Sequence, residues 1–480
     1  MDTDVLIIGG GISGLATAWW LAQSGIQVEI WEKSIRPGGK IKSSRQDGYL
    51  TEQAASMIMN FKPEVDELLE KSGLNREKQK RQLGSESRRY LLYQGQLKPL
   101  PMTIGGMLLT PLWSNRARLR LLAEAFIPQR TDRNETVASF IKRRLGAEFL
   151  DKAMDPFVAG TLASDPSQAN AMSVLPRLKA LENQYGSITA GVILNKILRR
   201  RTARTTEIFS FDGGINTLVK KLVDCDGIKF RGCMDVTQIR ACKQGWQVSA
   251  NSLSGETSKT CRQLILSTPA AASARLLRPT STEISNILGS IEYAPLSVVH
   301  LGFDRRQVPH RLDSTGFLVP GQEKRNITGN LWMSSLFSNR APQSKILLTS
   351  YLGGARQARL SRLSDDRSID CVLADLQSIL NIRGLPEMTR IDRHQQALPL
   401  YHGNYQQRMQ NLDSELHKHK GLNLVANYRG GVSVRDRIAC ARQIATSIVR
   451  DLQSSGNTVT SIAPVLETHI TPAGPACLKQ

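Results

Sequence analysis

The feature that most constrains the fold is a glycine pattern directly after the first apolar run. Val5–Ile8 is apolar throughout, which predicts a strand buried on both faces of a parallel sheet. A helix is predicted from Leu15 to Ser24, and a second strand over Val28–Trp31 leads to Glu32. Between the first strand and the helix lie three glycines at G-x-G-x-x-G spacing: Gly9, Gly11 and Gly14. This order of elements indicates a Rossmann-like α/β unit.

Each part of this unit has a physical role in holding a dinucleotide. Gly9 permits the tight turn, Gly11 lets the backbone approach a pyrophosphate, and Gly14 lets helix and strand pack closely. The free N–H groups at the helix N-terminus then face the phosphates. The Glu32 carboxylate can accept hydrogen bonds from both ribose hydroxyls, and it would repel a 2′-phosphate. The unit therefore predicts a site for FAD or NAD, and a glycine-rich turn without a ligand is the alternative.

The residues after Glu32 favour FAD over NAD. The run "KSIRPGGKIKS" holds a second pair of glycines between Arg36 and Lys40, which suits a pyrophosphate that needs more backbone donors and a positive charge. Further on, "DGYLTEQAASM" places Glu52 before small residues that lie along the cofactor. FAD is therefore the predicted cofactor.

Composition indicates a globular protein of a reducing compartment. The 480 residues suffice for two or three domains, and 40% of them are hydrophobic. No apolar run is long enough to span a bilayer, and we expect no targeting segment before the first strand. Because the seven cysteines form no C-x-x-C pair, we expect free thiols and a cytoplasmic location. His417 and His419 stand in a polar "HKHK" run, so a solvated surface is expected there and no metal site.

The charge balance is strongly basic. The net charge is +21, and clusters of arginine occur at Arg116–Arg120 and Arg199–Arg204. Such a balance favours polyanions, and we rank an anionic membrane surface first and a merely solvated basic face second. Nucleic acid ranks third and is not predicted as a partner, because few aromatic residues accompany the clusters for base stacking.

The periodicity of the chain changes twice. Residues 61–200 are predicted to be largely helical, while strand patterns run from Thr206 to Gly354. Near the C-terminus a buried strand over Leu422–Ala426 is followed by two glycines and by a helix that starts near Ser433. That glycine turn delivers a second helix N-terminus, which a flavin needs at its pyrimidine end, where negative charge builds up on reduction.

These patterns predict a cofactor domain that is discontinuous in sequence. Its predicted segments are residues 1–60, 206–295 and 401–452. Residues 61–205 are predicted to form a helical insertion that covers this domain, and residues 296–400 a further region that contains strands. Residues 453–480 lack helical or strand period and are predicted to be a mobile tail.

Across nearly its full length the sequence resembles the protoporphyrinogen oxidase family, within the flavin amine-oxidase and carotenoid-desaturase superfamily. The opening unit and "RPGGK" are typical of the whole superfamily. More specific is "DPFVAGTLASDPSQANAMSVLPRLKALENQYGSI", and further family segments follow in family order: "FSFDGGINTLVKKL", "STPAAA", "GFLVP", "TSYLGG", "ALPLY" and "ANYRGGVSVRDRI".

The resemblance implies a fold, a reaction and partners. The implied fold is α/β with an α+β substrate part: a Rossmann-like FAD-binding domain, a sheet-containing substrate domain over residues 296–400, and a helical insertion over residues 61–205 that contacts substrate and membrane. The reaction removes six electrons from protoporphyrinogen in three steps mediated by non-covalent FAD, and oxygen commonly reoxidises the flavin to give hydrogen peroxide. The protein would attach peripherally to the inner face of a membrane, and a homodimer is allowed.

The family's functional residues carry over onto matching positions of this chain. FAD contacts fall on Gly9, Gly11, Ser13, Gly14, Glu32, Lys33, Lys40, Ala54, Met57, Val236, Asn427, Val432, Ser433 and Val434. Arg89 would hold a substrate propionate and the Gly160 carbonyl would face the macrocycle. The rings would be gripped by Leu318, Leu331 and Tyr351. No residue is assigned as a catalytic acid or base, because hydride transfer to a flavin is carried by the cofactor.

The sequence departs from the family at a few positions. The family usually has glycine where Gln53, Ala163 and Ala426 stand, and often phenylalanine where Tyr351 stands. These departures leave coproporphyrinogen open as the substrate. The further alternatives are another oxidoreductase of the superfamily, such as a polyene desaturase or an amine oxidase, and a flavoprotein that binds a partner without turnover.

Overall fold

The computed structural model describes residues 1–82, 84, 89–100, 106, 110, 112–130, 132–197 and 206–454. In chain order its strands are β1 Thr3–Ile8, β2 Val28–Trp31, β3 Ser43–Gln46, β4 Tyr49–Glu52, β5 Ile58–Asn60, β6 Lys78–Lys80, β7 Tyr90–Tyr93, β8 Gln96–Pro99, β9 Glu207–Phe211, β10 Ile228–Arg231, β11 Asp235–Cys242, β12 Gly245–Ser252, β13 Gly255–Leu266, β14 Tyr293–Asp304, β15 Gly316–Leu318, β16 Ile327–Trp332, β17 Lys345–Gly353, β18 Met388–Pro399 and β19 Leu422–Leu424.

The α-helices are α1 Ile12–Ala22, α2 Pro63–Lys71, α3 Asn115–Leu122, α4 Val137–Arg144, α5 Ala147–Phe149, α6 Asp155–Leu162, α7 Ala171–Val174, α8 Pro176–Tyr185, α9 Ile188–Ile197, α10 Asn216–Val223, α11 Ala270–Leu277, α12 Thr282–Gly289, α13 Met333–Leu336, α14 Asp365–Leu380, α15 Tyr405–Leu416 and α16 Val434–Ser454. A π-helical segment, Leu150–Met154, joins α5 to α6, and shorter 3-10 turns occur at Leu74–Arg76, Ala123–Phe126, Arg305–Gln307, Gly321–Glu323 and Ala358–Arg362.

The first sheet holds the predicted dinucleotide unit. Its strand order is β10-β2-β1-β13-β12-β11, and β19 pairs with the end of β13 on the side opposite β1. β10, β2, β1, β13 and β19 run parallel, while β11 and β12 extend the sheet as an antiparallel hairpin. Since these strands come from three separate parts of the chain, the predicted discontinuous α/β domain is confirmed.

The register brings the carboxyl ends of the parallel strands to one edge of this sheet. Ile8 pairs with Trp31 on one side and with Leu266 on the other, and Leu266 pairs with Leu424. The residues that follow these strand ends therefore meet outside the sheet edge, where open α/β sheets bind their ligands. The loops that follow β1 and β19 lead to the helices α1 and α16, which pack against one another.

The second sheet has the order β18-β14-β17-β16-β15-β7-β8, and all its neighbouring pairs are antiparallel except β15 with β7. One face packs on α14 through alternate side chains of β14 and β17, among them Val299, Leu301, Leu348 and Leu352. Because successive side chains of a strand point to opposite faces, the residues between these belong to the other face.

Some expectations about elements differ from the structure. The described part of residues 61–200 contains three strands, of which β7 and β8 complete the substrate sheet. β9 pairs with β5 and β6 in a small third sheet and does not join the first sheet. Gln453 and Ser454 belong to α16, whereas residues 455–480 and 199–204 lie outside the described residues. The domain boundaries stay a prediction.

Candidate functional site

The first glycine turn has the geometry that its spacing predicts. Gly9 has a φ of +106° and its N–H donates to the Trp31 carbonyl at 2.8 Å. A Cβ at Gly9 would lie 2.8 Å from the backbone oxygen of Ser267, and a Cβ at Gly14 would lie 2.1 Å from the Gly9 oxygen. Only glycine fits at either position, so the turn can place the α1 N-terminus directly at the sheet edge.

Gly11 differs from the other two glycines because it faces open space. It is the N-cap of α1 with φ −73° and ψ 175°, and a Cβ built on it meets no atom within 4 Å. The second glycine loop lies alongside: Gly38 N–H donates to the Gly10 carbonyl at 2.7 Å. Two backbone loops and the N–H groups of a helix start, including that of Ser13, therefore surround a space where an anion is favoured.

Glu32 is fixed at the end of β2 by backbone groups. Its two carboxylate oxygens accept hydrogen bonds from Gly10 N–H at 2.7 Å and from Ser34 N–H at 2.9 Å. An ionised carboxylate has about four lone-pair sites, so two hydroxyl donors can still be accommodated. The next residue, Lys33, is turned to the surface, where it pairs with Asp235 at 2.9 Å.

Lys40 connects the cofactor loop to the substrate sheet. Its amine donates to the backbone oxygens of Gln396 and Ala397 in β18, and it lies 5.8 Å from the ring centre of Tyr293. Burial lowers the pKa of Lys40 to about 8. The positive charge predicted for this loop is thus held against the second sheet, where a phosphate would stabilise its protonated form.

The second helix N-terminus is also built on glycine. Gly431 has a φ of +105°, and Val432 leads to Ser433, whose hydroxyl donates to the Asp436 carboxylate at 2.6 Å and accepts from the Asp436 N–H. The helix α16 begins at Val434, so the predicted start near Ser433 is confirmed.

The loop after β19 carries the polar atoms of Asn427. Its side-chain oxygen accepts a hydrogen bond from the Tyr293 hydroxyl at 3.4 Å, and its backbone oxygen accepts one from Tyr401. Val236, the remaining predicted contact, lies in β11 beside a bulge in its pairing with β12, where the ladder is locally disrupted.

One buried polar atom at the sheet edge has no partner among the described residues, and this supports a bound group. The Ser267 hydroxyl is buried and without a hydrogen bond, and it lies 3.2 Å from the place of a Cβ on Gly14. The residues present therefore fit a dinucleotide. Neither Ser267 nor Tyr293 was predicted as a contact. The parallel pairing of β13 with β1 would have indicated Ser267, but that pairing is visible only in the structure.

Three predicted substrate residues share one face of the second sheet. Leu318 of β15 pairs with Gly329 of β16. Two residues further along β16, Leu331 pairs with Thr349 of β17. Tyr351 lies two residues beyond Thr349 on β17. Since alternate residues of a strand share a face, Leu318, Leu331 and Tyr351 project to the same side, away from α14. The structure thus brings them together on three neighbouring strands.

The segment over residues 54–57, predicted to lie along the cofactor, packs near this face. Leu331 and Met57 pack against the same apolar cluster. Burial raises the pKa of the Tyr351 hydroxyl, while the neighbouring Ser56 side chain, between Ala54 and Met57, opposes the rise. The segment predicted to lie along the cofactor is therefore adjacent to the face predicted to hold the rings.

Gly160 lies on this face as well, in the last turn of α6. A Cβ at Gly160 would be 2.5 Å from Leu318 Cδ2. The N–H of Ser164, four residues further on, is bonded to the Val158 carbonyl at 3.4 Å. The Gly160 carbonyl is consequently not the acceptor of the usual helical bond, and it stands at the negative end of the helix dipole.

Arg89 directly precedes the hairpin of β7 and β8. Tyr90 pairs with Phe317 next to Leu318, so the hairpin belongs to the substrate sheet. The Arg89 backbone oxygen accepts from Leu100 N–H at 2.6 Å and its side chain is exposed. Its role toward a propionate stays a prediction.

Within the described ranges, no group of three or more His, Cys, Asp or Glu side chains is arranged to hold a metal ion.

Comparison with known proteins agrees with this geometry. Residues 12–432 match the family described as flavin containing amine oxidoreductase. The chain is 29% identical to protoporphyrinogen oxidase 2 of Arabidopsis thaliana, over 94% of this chain and 95% of that protein. It is 26% identical to coproporphyrinogen III oxidase of Bacillus subtilis, over 90% and 95%. A crystal structure of a protein from Exiguobacterium sp. 255-15 superposes with a TM-score of 0.78 at 22% identity, covering 93% of this chain and 99% of that one, which shows the shared fold.

Proposed function

Because the chain belongs to the flavin containing amine oxidoreductase family, we propose that it is an FAD-dependent oxidase of protoporphyrinogen IX in tetrapyrrole biosynthesis. It would remove six electrons in three two-electron steps, with oxygen as the acceptor. The observation that carries the proposal is the meeting of Gly160, Leu318, Leu331 and Tyr351 on one face beside the cofactor segment. Coproporphyrinogen is the second candidate, supported by the similarity to the Bacillus subtilis coproporphyrinogen III oxidase.

FAD fits better than a smaller flavin because the chain offers binding groups for both ends of a dinucleotide. Glu32 suits the ribose of an adenosine, and the space before Gly11 suits the pyrophosphate. The N-terminus of α16 suits the pyrimidine end of the flavin. Once bound, FAD supplies the capacity to accept a hydride from the substrate. Unfolding the purified protein and identifying the released cofactor by mass distinguishes FAD from FMN.

The chain's own residues would bind, orient and enclose the macrocycle. Leu318 and Leu331 provide apolar contacts for its rings, and Tyr351 adds an aromatic side chain on the neighbouring strand β17. The Gly160 carbonyl offers an acceptor to the pyrrole N–H groups, and the dipole of α6 favours positive charge there. Arg89 would pair with a propionate, because a guanidinium presents a planar fork to a carboxylate.

A substrate comparison tests the proposal against its alternatives. The purified protein is mixed in air with protoporphyrinogen, coproporphyrinogen, a primary amine or a polyene, and porphyrin fluorescence and hydrogen peroxide are followed. We expect fluorescence with a porphyrinogen and peroxide in proportion to it. Turnover of only the amine or the polyene would contradict the proposal, and so would stable flavin without turnover of any of the four.

An apolar and basic surface supports attachment to a membrane, which we also propose. The side chains of Leu119, Leu122 and Phe126 are exposed, Phe126 by 88%, and Ile193 is exposed on α9, which packs on the turn that contains Phe126. Positive charge is supplied by the neighbouring α3, whose sequence is Asn-Arg-Ala-Arg-Leu-Arg-Leu-Leu. In the part of the chain that the structure describes, no helix combines the length and the apolar character needed to cross a bilayer.

Vesicle flotation tests this surface. We expect the protein to float with vesicles that contain anionic lipid and to dissociate as salt rises, because charges are screened over about 10 Å at 0.1 M salt. Phe126→Ser should weaken flotation, while Leu253→Ser, at an exposed leucine in the turn between β12 and β13, should not. Equal flotation with neutral and anionic lipid would contradict the electrostatic part of the proposed membrane attachment.

A homodimer stays a further prediction, to be tested by measuring the molecular mass of the protein in solution.

A further inference from the structure

A small cavity lies beside the face that carries Gly160 and Leu318. Its volume is about 200 Å³. It lies between the last turns of α6, the turn after β15, the start of β16 and the loop after β17, and it is lined by Ala159, Ala163, Val319, Ile327, Thr328, Arg325 and others. Pockets that hold a whole small molecule have about 300–1,000 Å³, so this cavity suits an appendage of a larger ligand.

The cavity is one residue away from the predicted ring contact. Ala159 precedes Gly160 in α6, and the Thr328 backbone oxygen, in the cavity wall, lies 3.4 Å from the place of a Cβ on Gly160. A ligand whose ring lies against Gly160 can therefore extend a short side arm into the cavity. Its walls of alanine, valine and isoleucine suit the methylene groups of such an arm.

Arg325 provides the cation for the end of that arm. Its Nε is buried and has no hydrogen-bond partner among the described residues, and its Nη1 lies 4.0 Å from Asp375 Oδ1, at the limit of an ion pair. The other oxygen of Asp375 is already taken by the N–H groups of Asn326 and Ile327, at 2.8 and 3.1 Å. Arg325 thus keeps donors that no protein group in the described structure uses.

The second arginine of the cavity is differently engaged. Arg356 forms an ion pair with Asp155 at 2.5 Å, and the same carboxylate accepts from Gly321 N–H at 2.8 Å. Arg356 therefore holds α6 to the neighbouring turns, and Arg325 is the group left for a ligand. Gln357 also lines the polar end of the cavity, and its side-chain oxygen is buried with no hydrogen-bond partner among the described residues.

We infer that this cavity is a carboxylate subsite, in which Arg325 binds a carboxylate-ended arm of the macrocycle. The inference rests on the proposed function and extends it to substrate selection. Coproporphyrinogen carries propionates at two positions where protoporphyrinogen carries vinyl groups. An arginine at one such position would favour coproporphyrinogen, because its additional carboxylate forms a charge-assisted hydrogen bond with the guanidinium. The vinyl group of protoporphyrinogen cannot form that bond.

The test compares Arg325→Gln with Arg362→Gln, which removes an exposed arginine outside the cavity. For both porphyrinogens, kcat and KM are measured with the free acids and with their methyl esters. We expect Arg325→Gln to raise KM for a free acid by about tenfold to a hundredfold with little change in kcat, and to leave the esters and the FAD content unchanged. An effect on coproporphyrinogen alone places a discriminating arm in the cavity, and an effect on both places a shared propionate there.

Equilibrium binding separates this inference from the proposed function. Binding of the product porphyrins, as acids and as esters, is followed by porphyrin fluorescence and does not need turnover. If the wild-type protein oxidises neither porphyrinogen, the proposed function is wrong. The subsite is then tested only by comparing how tightly wild type and Arg325→Gln bind the porphyrin acids. Equal acid binding and equal KM in wild type and Arg325→Gln would overturn the subsite and leave the proposed function standing.

Discussion

Gly160 lies so close to Leu318 that a Cβ on the glycine would be 2.5 Å from Leu318 Cδ2. The Leu318 methyl is the end of a flexible side chain, so Gly160→Ala should fold by displacing it. Because a displacement of about 1 Å can cost a hundredfold in rate, we expect kcat/KM for the porphyrinogen to fall by about tenfold to a hundredfold at unchanged FAD content.

The double variant Gly160→Ala/Leu318→Ala is the control for this contact, because it removes the displaced methyl. We expect it to be more active than the product of the two single effects predicts, as residues in contact are not additive. Additive losses would show that Gly160 acts independently of Leu318.

Gly11→Val tests the space in front of α1. The φ of −73° suits valine and the added Cβ meets no protein atom within 4 Å, so folding should be unaffected. The branched side chain would instead occupy the room that the pyrophosphate needs, and we expect FAD content to fall below a tenth of the wild-type value. Gly289→Val, at a glycine with equally open surroundings outside the site, should keep its FAD. Normal FAD content in Gly11→Val would contradict the site.

His300 should make stability depend on acid pH. It is buried on the face of the second sheet that carries Tyr351, its Nδ1 lies 2.9 Å from Thr349 Oγ1, and Asp392 and Arg390 are its charged neighbours. Burial lowers its pKa to about 4, and an unfolded histidine has a pKa of about 6.5. The unfolded state therefore binds more protons between these values, and stability is lost as pH falls from 6.5 to 4.

The measurement is the free energy of unfolding in urea at several pH values in this window. We expect His300→Gln to lack a pH-dependent part on the order of 3 kcal/mol that wild type shows. His417→Gln, at an exposed histidine, should follow wild type. Parallel curves for all three proteins would refute a buried neutral imidazole.

A buried ion network stabilises the helical part. Glu182 and Arg144 are fully buried, and Glu182 contacts Lys179 at 2.8 Å and Arg143 at 2.9 Å. Removing one partner leaves a buried charge uncompensated, so Glu182→Gln should lower the free energy of unfolding by about 3–5 kcal/mol. Glu415→Gln, which breaks the surface pair with Lys418, should cost below about 1 kcal/mol. Similar losses in both variants would show that the network contributes no more than a surface pair.

The sequence predicts local parts of the site better than assembled ones. The turn at Gly9–Gly14 and the start of α16 follow from short-range spacing, which is why both are found where the pattern places them. The shared face of Leu318 and Tyr351 depends on the register of three strands, and only the resemblance had related these residues. The strand over Glu207–Phe211 shows the limit, since its pattern gives no information on which sheet it joins.

Departures from the family acquire a physical meaning in the structure. Ala163, where the family usually has glycine, ends α6 with a φ of 52°. A left-handed alanine costs roughly 1–2 kcal/mol, which the sequence could not reveal without the helix boundary. Gln53 is held through its backbone: its N–H donates to the Lys42 carbonyl, and its backbone oxygen lies 2.8 Å from His394 Nε2. That departure is therefore compatible with the fold.

The central claim is that a porphyrinogen delivers electrons to a flavin held between the two sheets, and anaerobic mixing tests it most directly. Purified yellow protein is mixed with protoporphyrinogen, or with coproporphyrinogen, in the absence of oxygen, and the visible absorbance of the oxidised flavin is followed. We predict that a porphyrinogen bleaches the flavin while porphyrin fluorescence rises, and that admitting oxygen restores the absorbance. A flavin that keeps its absorbance with both porphyrinogens, at concentrations that saturate binding, would contradict the account.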